Sequence, residues 1–170
     1  MIEHAADAAL GSNALEVVVV TGHEADLVAG ALEDHDLTVV HNPDFAKGLS
    51  TSLKTGLAAL STESDAVIVM LGDMPEIGAA EIDRLIEAFE AGEGRGICVS
   101  TSGGKRGNPV LWARRYFPDL CMIKGDVGAR HLIGEHGDDV IEVEQGTAAA
   151  LDVDTPEAYR AISGREDENP

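Results

Sequence analysis

The residues best placed to do chemistry begin with Asp73, in Ala66-Val67-Ile68-Val69-Met70-Leu71-Gly72-Asp73-Met74-Pro75. Ala66 to Leu71 are apolar without alternation, which in so short a Val- and Ile-rich run predicts a strand buried on both faces. Gly72 permits a sharp exit and Pro75 cannot continue a ladder. Asp73 is therefore expected at the carboxyl end of a central parallel strand, where open α/β sheets bind ligands. A carboxylate there suits Mg²⁺, which takes oxygen ligands and shares them with substrate phosphates. Capping of the next helix is the competing role.

Four further stretches carry candidate groups. Gly48-Leu49-Ser50-Thr51-Ser52 opens a helix, whose first turn and small hydroxyl side chains can meet phosphates or nucleotide edges, or serve only as a helix start. Gly104 to Asn108 reads as a flexible loop carrying Lys105 and Arg106, either anion-binding groups or plain surface charge. Gly125-Asp126-Val127-Gly128-Ala129-Arg130 begins another helix. In Leu151-Asp152-Val153-Asp154-Thr155-Pro156-Glu157, alternation puts Asp152 and Asp154 on one strand face, and Asp154 can equally be an N-cap. His23 and His41 read as polar strand-end residues rather than bases, and Trp112 as core or pocket wall.

The elements that position these groups alternate. A helix over Met1 to Leu10 precedes a strand at Glu16–Val20, a helix at Glu24–Asp34 and a strand at Leu37–His41. Asn42-Pro43-Asp44 marks a turn before a helix from Gly48 to about Leu60. After the Asp73 strand, Ala79–Glu90 carries Ile82, Leu85, Ile86 and Phe89 on one helical face. Strands follow at Gly96–Thr101 and Asn108–Trp112, then helices over Ala113–Cys121, with Pro118 as an interruption, and Gly125–Glu135. Val140–Val143 and Ala150–Val153 are expected strands, and Pro156 sits in the first turn of a last helix. This order predicts an α/β, doubly wound, mostly parallel Rossmann-like sheet in a single domain over 1–163, with a disordered acidic tail over 164–170.

Composition limits the function classes. A chain of 170 residues can bury roughly 70% of its unfolded surface in one core. Asp and Glu number 31 against 12 Lys and Arg, a net charge of −19 that argues against a nucleic-acid partner, which needs a basic footprint. Dispersed acid with little Lys suggests a salt-rich cytosol. No stretch approaches the roughly 18 apolar residues of a membrane span, and no signal peptide is visible. Cys98 and Cys121 lack metal-ligand spacing and read as buried free thiols in a reducing cytoplasm.

Taken in order, Thr21-Gly22-His23-Glu24, Asn42-Pro43 through Leu53, Leu71 to Pro75, Gly107-Asn108-Pro109-Val110, Gly125 to Arg130 and Leu151 to Glu157 closely resemble the MobA-like NTP transferases. The nearest branch is similar to the molybdenum cofactor cytidylyltransferases. The resemblance covers about Met1 to Ile162, and its specificity lies in the ordered set rather than in any one motif. It implies a nucleotide-diphospho-sugar transferase type of fold and Mg²⁺-dependent nucleotidyl transfer from an NTP, CTP favoured, to a phosphorylated pterin-type acceptor. Guanylyl transfer, transfer to a sugar phosphate, and a catalytically incompetent fragment or binding protein of the same fold are the alternatives.

By the same resemblance Asp73 is a catalytic metal ligand and the second acid is Asp154 or Asp152, with Asp154 favoured as ligand and Asp152 in support. Gly48, Leu49, Ser50, Ser52 and Gly72 contact the nucleotide, and Lys105, Arg106, Asn108, Asp126 and Arg130 contact the acceptor. The family's opening strand carries Leu-Ala-Ala-Gly, a Gly/Ser/Arg loop and a Lys that hold the triphosphate. That segment, roughly 30–40 residues by the usual size of a strand, loop and lead-in, has no counterpart here. It is expected to lie beside Val17–Val20 and Val67–Leu71, and without it self-association through the exposed sheet edge is expected.

Overall fold

The computed structural model describes residues 1–125 and 129–146. Its elements are α1 (Ile2–Leu10), β1 (Val18–Thr21), α2 (Ala25–Ala31), β2 (Thr38–His41), α3 (Leu49–Ala59), β3 (Ala66–Val69), α4 (Ala79–Glu90), β4 (Ile97–Ser102), β5 (Lys105–Ala113), α5 (Phe117–Met122), α6 (Arg130–Glu135) and β6 (Val140–Glu144). Single 3₁₀ turns at Phe45–Lys47, Arg114–Tyr116 and Gly137–Asp139 join them. Pro118 lies at the start of α5, where its missing N–H costs nothing, so it begins that helix rather than interrupting one.

The strands form two groups. β1 pairs parallel with β2 from Val18↔Thr38 to Thr21↔His41. The other sheet runs β3-β5-β4-β6, with β5 antiparallel to both neighbours and β4 parallel to β6. β3, β4 and β6 therefore point one way and β5 alone is reversed. This is the open α/β sheet expected, mixed rather than wholly parallel because β5 is reversed, and with one change of rank. β4 is the central strand, and Ile97, Cys98, Val99 and Ser100 are fully buried. β3, expected as a central parallel strand, pairs on one edge only among the described residues, with the antiparallel β5, and its residues are half-buried although both faces carry packing. β1 likewise pairs on one edge among the described residues and is half-buried over most of its length.

Strand alternation sorts the core between two faces. Ile97, Val99, Val110 and Trp112 pack with Leu120, Leu132 and Ile133, and Leu53 and Leu57 of α3 join them. Cys98 and Leu111 on the opposite face pack with Leu85, Phe89 and Ile141. α4 has the bounds its apolar stripe predicts.

Two further expectations need correction. Lys105 and Arg106 lie on β5, paired with Ser102 and Thr101, instead of in a flexible loop. Gly103 and Gly104, at φ 56° and 79°, close a two-residue hairpin turn that L residues with side chains resist. The second correction is Cys121, which is exposed. On the short α5 it is the neighbouring Leu120 that enters the core.

Candidate active site

Asp73 follows β3 in a loop that is anchored on its far side. Met74 and Ile77 are buried with Ala8 and Ile82, and Met70 and Leu71 pack against them. The helix-cap role is taken elsewhere. The N-cap of α4 is Gly78, whose N–H donates to Glu81 Oε2 at 3.0 Å. Asp73 Oδ1 is buried and has no hydrogen-bond partner among the described residues. A buried carboxylate oxygen is normally bonded, and leaving one bare costs about 1–3 kcal/mol or more. Asp73 borders a cavity of about 530 Å³ between the carboxyl ends of β1 and β3, whose walls include Val20, Gly22 and His23 on one side and Leu71 and Gly72 on the other. Asp73 is thus a cavity-lining residue with one unsatisfied carboxylate oxygen, a donor type that fits a hard cation. Among the described residues no cluster of three or more His, Cys, Asp or Glu side chains could hold a metal. Asp152 and Asp154 lie outside the described residues.

A second hollow, of about 760 Å³, lies over α2 and β2 and is lined by Glu24, Asp26, Leu27 and His41 among others. It has acids but no Lys or Arg, and Gly72 and Asp73 do not reach it, so size does not mark the site.

From β1 the site continues to α3 by direct contact. A Cβ on Gly22 would fall 2.6 Å from Phe45 Cβ, so the chain passes over Gly22 only because it has no side chain. His23 lies against the Phe45 ring, centroids 6.2 Å apart. The Asn42 N–H donates to the Thr21 carbonyl at 2.8 Å, carrying the β1–β2 ladder into the turn before α3. Ser50 is 4% exposed. The first-turn amides are not all open to a ligand. Ser50 N–H donates to the Gly125 carbonyl at 3.1 Å and Thr51 N–H to that of Gly48. The first contact brings the Gly125 loop against the α3 start. Asp126 lies outside the described residues.

Asn108, Lys105 and Arg106 lie at the same end of the sheet. Val69 pairs with Val110, so Pro109 and Asn108 continue past the last paired residue of β3, and the hairpin carrying Lys105 projects beyond them. Ser100 Oγ donates to the Pro109 carbonyl at 2.7 Å where the β4–β5 register shifts. Arg106 Nε bonds Glu142 Oε1 at 2.8 Å, so an incoming anion must compete for it. Lys105 and Arg130 are exposed. Glu144 holds the hairpin. It accepts from Gly103 N–H and Thr101 Oγ1, and these bonds keep its carboxyl below its usual range. Trp112 is core, edge-on to Tyr116.

Sequence reasoning gave Asn42 no role of its own, placing it only in a turn and in the stretch from Asn42 through Leu53. The signal available was its position two residues before Asp44, at the end of an apolar run. Its burial depends on α3 docking, which no local pattern shows.

Comparison with known proteins bears on the same elements. The MobA-like NTP transferase domain family matches residues 1–140. The molybdenum cofactor cytidylyltransferase of Escherichia coli K12 is 28% identical over 146 residues, covering 84% of this chain and 71% of that protein. A purine catabolism protein of Bacillus subtilis 168 is 29% identical over 122 residues, and the match spans 58% of its length. In structure, a Mycobacterium tuberculosis H37Rv protein crystallised with manganese superposes with a TM-score of 0.80 at 26% identity. That match covers 95% of this chain and 84% of the mycobacterial one.

Proposed function

Since this chain belongs to the MobA-like NTP transferase domain family, we propose that its site transfers a nucleotidyl group from an NTP, CTP favoured, to a phosphorylated pterin-type acceptor, with Mg²⁺ or a similar divalent cation. The observation that carries the proposal is the buried Asp73 Oδ1, unpartnered among the described residues, at the carboxyl end of β3. The E. coli relative supports the cytidylyl and molybdenum cofactor reading, and the mycobacterial neighbour supports a divalent metal.

An acceptor phosphate oxygen bonds to the α-phosphorus as the α–β bridging bond breaks, and pyrophosphate leaves with that electron pair. A phosphomonoester oxygen is already anionic, so no side chain need remove a proton. The cation would offset phosphate charge. The chain's own contribution is alignment. Asp73 would hold the cation, with Asp154 as its expected second ligand and Asp152 in support. The Gly48–Ser52 turn and Gly72 would meet base and ribose, with Leu49, Ser50 and Ser52 the contacting residues. Lys105, Arg106, Asn108, Asp126 and Arg130 would take the acceptor.

Pyrophosphate release tests this with each of the four NTPs, Mg²⁺ or Mn²⁺, and molybdopterin-type or sugar phosphates as acceptors. Release greatest with CTP and a pterin phosphate is expected. A preference for GTP, or for a sugar phosphate, would move the substrate assignment, and no release with any pair would overturn transfer by this chain.

A further inference from the structure

We infer that Asn42 is a positioning residue, whose buried amide fixes the first turn of α3 and presents Ser52 to the nucleotide; this rests on the nucleotidyl-transfer reading above. Asn42 is 2% exposed. Burying a carboxamide is unfavourable unless its groups are bonded. Here Nδ2 donates to Thr51 Oγ1 at 2.8 Å and to Ser52 Oγ at 3.0 Å, and Oδ1 accepts from Asp44 N–H at 3.0 Å. Both donor hydrogens are used.

The main chain of the same residue is fixed to the sheet through its bond to Thr21. Asn42 thus ties the end of β2 to α3 across the 43–48 turn. The helix needs such a tie. Its N-cap is Gly48 at φ 109°, with no side-chain cap bond, and a Ser, Thr, Asp or Asn cap is what ordinarily fixes a helix start.

The two hydroxyls differ in what Asn42 leaves them. Thr51 accepts from Asn42, and its own proton has carbonyl acceptors at Gly48 (2.9 Å) and Asp44 (3.1 Å). Thr51 is therefore an internal strut. Ser52 also accepts from Asn42. With a lone pair so engaged, its O–H is set to donate away from Asn42, as a nucleotide contact requires.

Asn42→Asp is the informative variant because it is nearly isosteric. A carboxylate cannot donate, so the Thr51 and Ser52 hydroxyls must turn their protons toward it. The side-chain bonds can survive in reverse while the outward Ser52 donor is lost. Asn42→Ala removes them altogether. Both are compared with the unaltered protein by hydrogen exchange of the α3 amides and by titration of CTP, GTP and ATP with Mn²⁺, with Ser52→Ala as second background.

We expect Asn42→Ala to speed exchange in the first turn of α3 and both variants to weaken the preferred nucleotide about tenfold, the size of one lost buried bond. Asn42→Asp should have little further effect in the Ser52→Ala background. If Asn42→Ala does not fold, Asn42→Asp and Ser52→Ala still complete the cycle. Unchanged exchange in a folded Asn42→Ala protein, or unchanged nucleotide affinity in Asn42→Asp, would overturn the positioning role while leaving nucleotidyl transfer standing. Failure of the unaltered protein to bind any NTP would instead overturn the functional reading, and the inference with it.

Discussion

Replacement of Gly22 by Ala tests how the end of β1 is coupled to the start of α3. The added Cβ would lie 2.6 Å from Phe45 Cβ, 2.8 Å from Cγ and 3.3 Å from Cδ1. Carbon atoms prefer about 3.5–4.0 Å, so a separation near 1 Å greater is needed. Rotating the Phe45 ring relieves Cγ and Cδ1 but not Cβ, which moves only with the main chain. That main chain is tied. Phe45 N–H donates to the Asn42 carbonyl, and Gly48 N–H donates to the Phe45 carbonyl. The strain therefore passes into the 42–48 turn and the first turn of α3. Overpacking of this kind costs about 1–3 kcal/mol. In a domain of this size it should lower Tm by about 2–12 °C, at about 2–4 °C per kcal/mol.

The assay is thermal unfolding followed by circular dichroism, at one fixed salt concentration. A second substitution distinguishes this cause from others. Phe45→Gly in the Gly22→Ala background should recover the strain energy, because it removes the clashing Cβ. Phe45→Ala should recover much less, because it keeps that atom. A Gly22→Ala protein as stable as the parent, or equal rescue by both partners, would refute the reasoning.

Other expectations follow from burial and charge. Burial pushes the Cys98 thiol up to about 11, with Arg95 pulling it down, whereas Cys121 is exposed; iodoacetamide should therefore modify one thiol in the native protein and two after unfolding, by intact mass. Burial pushes the Asp139 carboxyl up, but bonds from Tyr116 and Arg115 outweigh it and hold the group below its ordinary value. Its stabilisation is thus present above the ordinary carboxylate range and lost as pH falls through the lowered value, so the Tm deficit of Asp139→Asn should be full at neutral pH and vanish in acid. With a net charge of −19, raising KCl to multimolar concentration should raise Tm by screening self-repulsion; equal stability at low and high salt would remove the salt-rich-cytosol idea.

The fold was legible where local pattern and tertiary role agree. The α4 stripe of Ile82, Leu85, Ile86 and Phe89 gave both bounds of the helix, because the face that amphipathicity selects is the one that meets β4 and β5. Asp73 was legible for the same reason, as an apolar run and a Gly-x-x-Pro exit force a residue to the strand end. The hairpin was misread because Gly103 to Gly107 is polar and Gly-rich, the composition of a loop. Pairing of Lys105 and Arg106 with β4 decided otherwise. Rank within the sheet was illegible for a different reason. Ala66–Leu71 and Ile97–Val99 are equally apolar, and only the pairing partners make β4 central. Asn42 and Phe45 depend on contacts between elements, with α3 and with Gly22, that no sequence period encodes. Asp126, Asp152 and Asp154, and the expected final strand, helix and tail, fall outside the described residues.

Release of pyrophosphate from CTP with a molybdopterin-type phosphate as acceptor, by Asp73→Asn beside the unaltered protein and with Mg²⁺ or Mn²⁺, tests the account at its base. Circular dichroism must show both proteins folded. The account predicts metal-dependent release by the unaltered protein and a loss of about a hundredfold or more in the variant, the scale on which removing one group that offsets transition-state charge is felt. Near-normal metal-dependent release by a folded Asp73→Asn protein would contradict it, because the carboxylate at the end of β3 would then not be where the phosphate charge is met.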